Sequence, residues 1–149
     1  VSTIEIIPTN PTLGAEIRGV DLRRELDDET VDVIRQALLD HLVLFFRDQP
    51  LDHDQHIRFG RRFGDLHIHP AAPKPDDYPE LLQIHADENS RGVAGQGWHS
   101  DVSCDAEPPD GSILLLHTVP PDGGGDTMFA NMQAAFDTLS PTMQSFLSE

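Results

Sequence analysis

The stretch of this chain best equipped for chemistry is Trp98-His99-Ser100-Asp101-Val102. One imidazole nitrogen and one carboxylate oxygen suit a divalent metal. The facial triad of two histidines and one carboxylate, which leaves coordination positions open, is the Fe(II) arrangement of non-haem oxygenases. In an extended segment, side chains at i and i+2 share a face, so His99 and Asp101 project together if the segment is a strand. Taken bare, the triplet is equally a surface histidine beside a solvated aspartate. His67 and His69 share a face on the same argument. His53 and His56 read as solvated residues at a helix start, and His41 as a favourable charge near a helix C-terminus. His85 and His117 read as satisfied strand residues, with His117 the one candidate for a third ligand within the chain. Cys104 has no base spaced to activate it and reads as structural.

The elements that must position these residues are legible from period and punctuation. Ile4 to Ile7 and Leu13 to Ile17 predict strands. Val31, Ile34, Leu38 and Leu42 recur at helical spacing within a helix over 27–41, and Asp27, Asp28 and Glu29 stand at its positive end. Leu42 to Phe46 predicts a buried strand. Asp52 and Gln55 form a capping-box pattern for a second helix running to about Phe63, which Gly64 is placed to end. Leu66 to Pro79 is irregular, Leu81 to His85 predicts a strand, and Asp87 to Gly97 a loop. Further strands are expected at Ile113 to His117 and Thr127 to Ala130, the last after a glycine-rich turn. Helices are expected at Met132 to Leu139 and Pro141 to Leu147, with Ser140 as N-cap before a proline at the first helical position.

The chain has 149 residues and a formal net charge of -16, from 26 acidic against 10 basic residues. Such a surface repels phosphate backbones and anionic membranes, so neither nucleic acid nor membrane is an expected partner. No run reaches the roughly 18 to 20 apolar residues of a membrane helix. The single cysteine excludes an intrachain disulfide and fits a reducing cytoplasm.

Several segments together resemble the taurine dioxygenase family of Fe(II)- and 2-oxoglutarate-dependent oxygenases. They are Gly14-Ala15-Glu16-Ile17-Arg18-Gly19-Val20-Asp21-Leu22, Leu44-Phe45-Phe46-Arg47-Asp48-Gln49, Phe59-Gly60-Arg61-Arg62-Phe63-Gly64 and Leu66-His67-Ile68-His69-Pro70. Trp98-His99-Ser100-Asp101-Val102-Ser103, Pro108-Pro109 and Gly124-Gly125-Asp126-Thr127 follow in the family's order. The resemblance implies an α+β, mainly β fold: a double-stranded β-helix, or jelly-roll, with flanking helices. It implies that residues 1–149 supply the N-terminal half of one such domain, without its C-terminal portion, and that this half alone is inactive.

The resemblance also implies roles. His99 and Asp101 match the first two iron ligands, and the third lies far downstream in the family, along with the arginines that anchor 2-oxoglutarate and substrate. Thr127 matches the hydroxyl that binds a 2-oxoglutarate carboxylate. His69 matches a contact to the substrate's sulfonate, and Val102 a pocket wall. Cofactors are therefore Fe(II) and 2-oxoglutarate. Partners are O2 and a small organic acid, a sulfonate such as taurine being one candidate, and a homo-oligomer is compatible with the sequence. Two positions depart from the family's taurine enzyme: Ala72 stands for a tyrosine and Gly95 for an asparagine, so the activity class carries over better than the substrate. The rival readings are a zinc-dependent hydrolase built on His99 and Asp101, and a non-catalytic jelly-roll binding module.

Overall fold

A computed structural model describes residues 3–69, 75, 77–87, 89–90, 92 and 95–148. The elements run β1 (Glu5–Pro8), β2 (Ala15–Arg18), α1 (Asp28–His41), β3 (Leu44–Phe45), α2 (His53–Arg61), α3 (Met132–Asp137) and α4 (Pro141–Leu147). The chain divides into two units: Val1–Pro50 with His117–Glu149, and Leu51–Leu116.

In the first unit the chain turns back on itself between β1 and β2. Asn10 Oδ1 accepts the backbone N–H groups of Thr12 and Leu13 at 2.8 and 2.9 Å, a side chain taking over the hydrogen bonding of the turn. The two strands pair antiparallel, Glu5 opposite Arg18 and Pro8 opposite Ala15. β2 then pairs with β3 in parallel, Ala15 beside Leu44 and Glu16 beside Phe45, which makes β2 the central strand of the order β1-β2-β3. Parallel neighbours need a crossover, and α1 supplies it.

The start of α1 is set by Asp27, whose carboxylate accepts Thr30 N–H at 2.8 Å, and by Asp28 and Glu29 in the first turn. The helix ends at Leu42, which adopts φ 66° and donates its N–H to Leu38 O at 2.7 Å. Val31, Ile34 and Ala37 fall on one stripe and are buried, as are Ala15 and Ile17 of β2 and the following Leu22. Gln49 ties the chain after β3 to the chain after β2: its amide oxygen accepts Leu22 N–H at 2.9 Å and its amide nitrogen donates to Val20 O at 3.1 Å. α3 and α4 begin at Asn131 and Ser140, each of which caps its helix with a side-chain oxygen.

The second unit is organised around α2. The capping box is complete, with Gln55 N–H donating to Asp52 Oδ1 at 2.8 Å and Asp52 N–H to Gln55 Oε1 at 3.0 Å. Ile57, Phe59 and Gly60 are buried. Gly60 is small for a reason, since a Cβ there would stand 3.0 Å from Leu66 Cδ2 and 3.8 Å from Ile113 Cδ1. Arg61 reaches Glu80 at 3.0 Å.

The helices and the hairpin agree with the sequence expectations, with ends shifted by one or two residues. The buried strand expected at Leu42 to Phe46 shortens to two half-buried residues, because its first residue closes α1 in the left-handed region. The strands expected at Leu81 to His85, Ile113 to His117 and Thr127 to Ala130 are irregular segments. Their apolar character is real, but a strand also needs a neighbour's hydrogen-bonding groups, and among the described residues none pairs with them. Only a three-stranded sheet of the expected jelly-roll is formed among the described residues.

Truncating Ile34, which is only 1% exposed, to alanine should cost about 3 kcal/mol of unfolding free energy, the usual cost of a cavity in a packed core. Asp52→Ala, which removes one cap, should cost about 1 kcal/mol. Denaturant unfolding of both variants checks the order.

Candidate metal centre

A turn, rather than an extended segment, brings His99 and Asp101 together. Residues 98–100 are irregular, residues 101–104 form a turn, and Asp105 N–H donates to Val102 O at 3.1 Å. Val102 sits at φ 50°. A β-branched residue in the left-handed region is a genuine outlier, so the turn is held by its surroundings rather than by local preference.

The result places His99 Nε2 3.2 Å from Asp101 Oδ1. The other ring nitrogen, Nδ1, stands 2.8 Å from the carbonyl oxygen of Gly97. A carbonyl only accepts, so Nδ1 carries the proton. In the neutral ring Nε2 then presents a lone pair to a carboxylate oxygen that also carries lone pairs. Two such atoms at this separation are stable only with a cation between them, either a proton on Nε2 or a metal ion. Nitrogen and oxygen ligands each about 2.1 Å from a metal, at a right angle, stand about 3 Å apart. The observed spacing fits that bite. Both side chains are more than half exposed, so an imidazolium–carboxylate pair alone adds little to stability. Among the described residues no third histidine, cysteine, aspartate or glutamate joins the pair, His117 included.

The remaining predicted residues are distributed between the units. His69 lies in the second unit, its ring 6.2 Å from that of His67 and nearly perpendicular to it. His67 Nε2 in turn stands 3.3 Å from Asp105 Oδ2, which ties the segment bearing His69 to the turn bearing Asp101. Val102 is half-buried within that turn. Thr127 belongs to the first unit, where it is exposed on an irregular segment. Gly95 adopts φ 84°, and a Cβ there would meet His99 Cε1 at 3.4 Å. Ala72 lies outside the described residues.

Three participants escape a reading of residue spacing. The Gly97 carbonyl that fixes the His99 tautomer has no side-chain signature. Ser112 Oγ donates to Asp101 Oδ2 at 3.2 Å from eleven residues away, a contact that only folding creates. His56, expected to be solvated, is half-buried, with Nε2 3.1 Å from Ile113 O.

With this geometry in view, the comparisons with known proteins are direct. Residues 5–149 match the family described as "Taurine catabolism dioxygenase TauD, TfdA family", and the chain belongs to that family. It is 36% identical to the alpha-ketoglutarate-dependent sulfonate dioxygenase of Saccharomyces cerevisiae, across 99% of this chain and 38% of that protein. It is 39% identical to the alpha-ketoglutarate-dependent sulfate ester dioxygenase of Pseudomonas putida, across 91% of this chain and 44% of that protein. The crystal structure of a taurine dioxygenase from Burkholderia xenovorans superposes with a TM-score of 0.76 at 34% identity, covering 97% of this chain and 50% of that one. The chain thus spans half or less of the length of these relatives.

Burial holds the His56 imidazole below its ordinary value of 6.5, outweighing the hydrogen bond to Ile113 O, which raises it. A base depressed in the folded state binds fewer protons than in the unfolded chain. Its stabilising contribution is therefore complete above about pH 6.5 and is lost as pH falls through the folded value. Unfolding midpoints between pH 8 and pH 5 should fall more steeply for wild type than for His56→Gln. Parallel profiles would remove His56 as the cause.

Proposed function

We propose that the full-length protein is an Fe(II)- and 2-oxoglutarate-dependent dioxygenase acting on a small organic acid, and that its fold completes the family's jelly-roll. The observation that carries this reading is the 3.2 Å approach of His99 Nε2 to Asp101 Oδ1, with the ring proton committed to Gly97 on the far side. Membership of the family supports the choice of iron over zinc. The bound cofactors would supply oxidation of a C–H bond by O2, with 2-oxoglutarate converted to succinate and CO2.

The chain's own residues then divide the work. His99 and Asp101 hold the metal through one nitrogen and one oxygen. The Gly97 carbonyl accepts the Nδ1–H of His99 and so turns Nε2 toward Asp101. Thr127 donates its hydroxyl to a carboxylate of 2-oxoglutarate. His69 donates to the anionic group of the substrate, and Val102 forms an apolar wall that keeps the substrate's carbon skeleton out of water. The relatives named for sulfonates and sulfate esters support an oxidised sulfur anion as the substrate class. Gly95 offers no side chain to hydrogen-bond to a substrate amine.

Anaerobic addition of Fe(II) and then 2-oxoglutarate to the full-length protein should develop the weak visible absorption of the chelate. His99→Ala should lower 2-oxoglutarate decarboxylation at least about 100-fold, more than a change outside the ligand set costs. Undiminished turnover would take His99 out of the site, and turnover without O2 would favour metal-assisted hydrolysis instead. Among substrates, an amine-free alkyl sulfonate should show a lower KM than taurine. The reverse order would mean that another group replaces the side chain missing at Gly95.

A further inference from the structure

Asp101 has two carboxylate oxygens, and only one of them faces His99. Oδ1 is the atom 3.2 Å from Nε2, while Oδ2 accepts the Ser112 hydroxyl at 3.2 Å. A carboxylate left to itself can place both oxygens on one metal or rotate between them. A hydroxyl donor on Oδ2 occupies one of its lone pairs and biases the rotation of the group, which favours presentation of Oδ1. We propose that Ser112 is a positioning residue that holds Asp101 as a single-oxygen ligand and so preserves open coordination positions beside His99. This inference rests on the metal-binding reading of His99 and Asp101 given above.

Ser112 is well supported for such a role. Its neighbour Ile113 is fixed to α2 twice, by the 3.1 Å contact of its carbonyl with His56 Nε2 and by the approach of its Cδ1 to the bare face of Gly60. The chain reaching it from the turn passes through Pro108-Pro109, whose fixed φ angles limit its freedom. A line of contacts therefore runs from α2 through Ile113 and Ser112 to the carboxylate, all within the second unit. On the other ligand the Gly97 carbonyl does the matching job for His99. Each ligand thus has its remaining polar atom engaged by a partner outside the ligand set, the usual way in which proteins orient metal ligands.

The test is titration of the full-length protein with Co(II), an oxygen-tolerant probe whose visible bands report coordination number. Wild type, Ser112→Ala, Ser112→Thr, Ser112→Val and His99→Ala are compared. Ser112→Ala and Ser112→Val should weaken Co(II) binding about 10-fold and shift the bands, whereas Ser112→Thr, which keeps the hydroxyl, should stay within about 2-fold of wild type. If Ser112→Ala binds Co(II) like wild type while His99→Ala does not, the role of Ser112 is overturned and the metal site stands. If the alanine, valine and threonine variants all lose affinity equally, the effect is one of shape rather than of the hydroxyl, and the role is again overturned. If His99→Ala itself binds Co(II) with wild-type affinity and spectrum, the metal reading fails and this inference with it.

Discussion

A ring nitrogen and a carboxylate oxygen, His99 Nε2 and Asp101 Oδ1, are held 3.2 Å apart. A proton on Nε2 or a metal ion makes that contact attractive, and three neighbours shape it. The Gly97 carbonyl accepts the Nδ1–H, the Ser112 hydroxyl donates to the far carboxylate oxygen, and Val102, next to Asp101, adopts an unfavourable backbone conformation. The strain is local and the support is distributed, as is usual where geometry serves a ligand rather than the stability of the chain.

The second unit shows how that support is built from ordinary parts. α2 starts at a capping box and buries Ile57, Phe59 and the small Gly60. The missing Cβ lets Leu66 and Ile113 lie close against the helix. Those two residues stand at the roots of the segments bearing His69 and Ser112. One glycine on one helix face therefore sets the spacing of two chain segments that flank the turn, and the His67–Asp105 contact closes the connection from the other side.

The sequence was most informative where structure is set locally. The acidic start at Asp27 to Glu29, the caps at Asp52 and Ser140 and the stripe of Val31 and Ile34 made α1, α2 and α4 readable before folding, because each depends on residues within a turn or two. The apolar residues of Leu81 to His85 and Ile113 to His117 promised burial but could not specify a partner, and the structure gives those segments no ladder among the described residues. The same limit applied at the site. His99 and Asp101 were found by residue type and family likeness. The reason they meet is a turn with Val102 at φ 50°, which nothing in a valine announces. Ser112 and Gln49 were invisible because a hydroxyl and an amide acquire these roles through neighbours 11 and 27 residues away, and Gly97 because a backbone carbonyl has no side-chain signature.

The parallel pairing of β2 with β3 has a consequence for how the chain is made. β2, α1 and β3 lie in one uninterrupted stretch, residues 15–45, so the strand register between Ala15 and Leu44 needs nothing that is synthesised later. A growing polypeptide can close this motif while His99 and Asp101 have yet to be translated. The turn bearing His99 and Asp101 is thus synthesised after a strand pairing that does not depend on it.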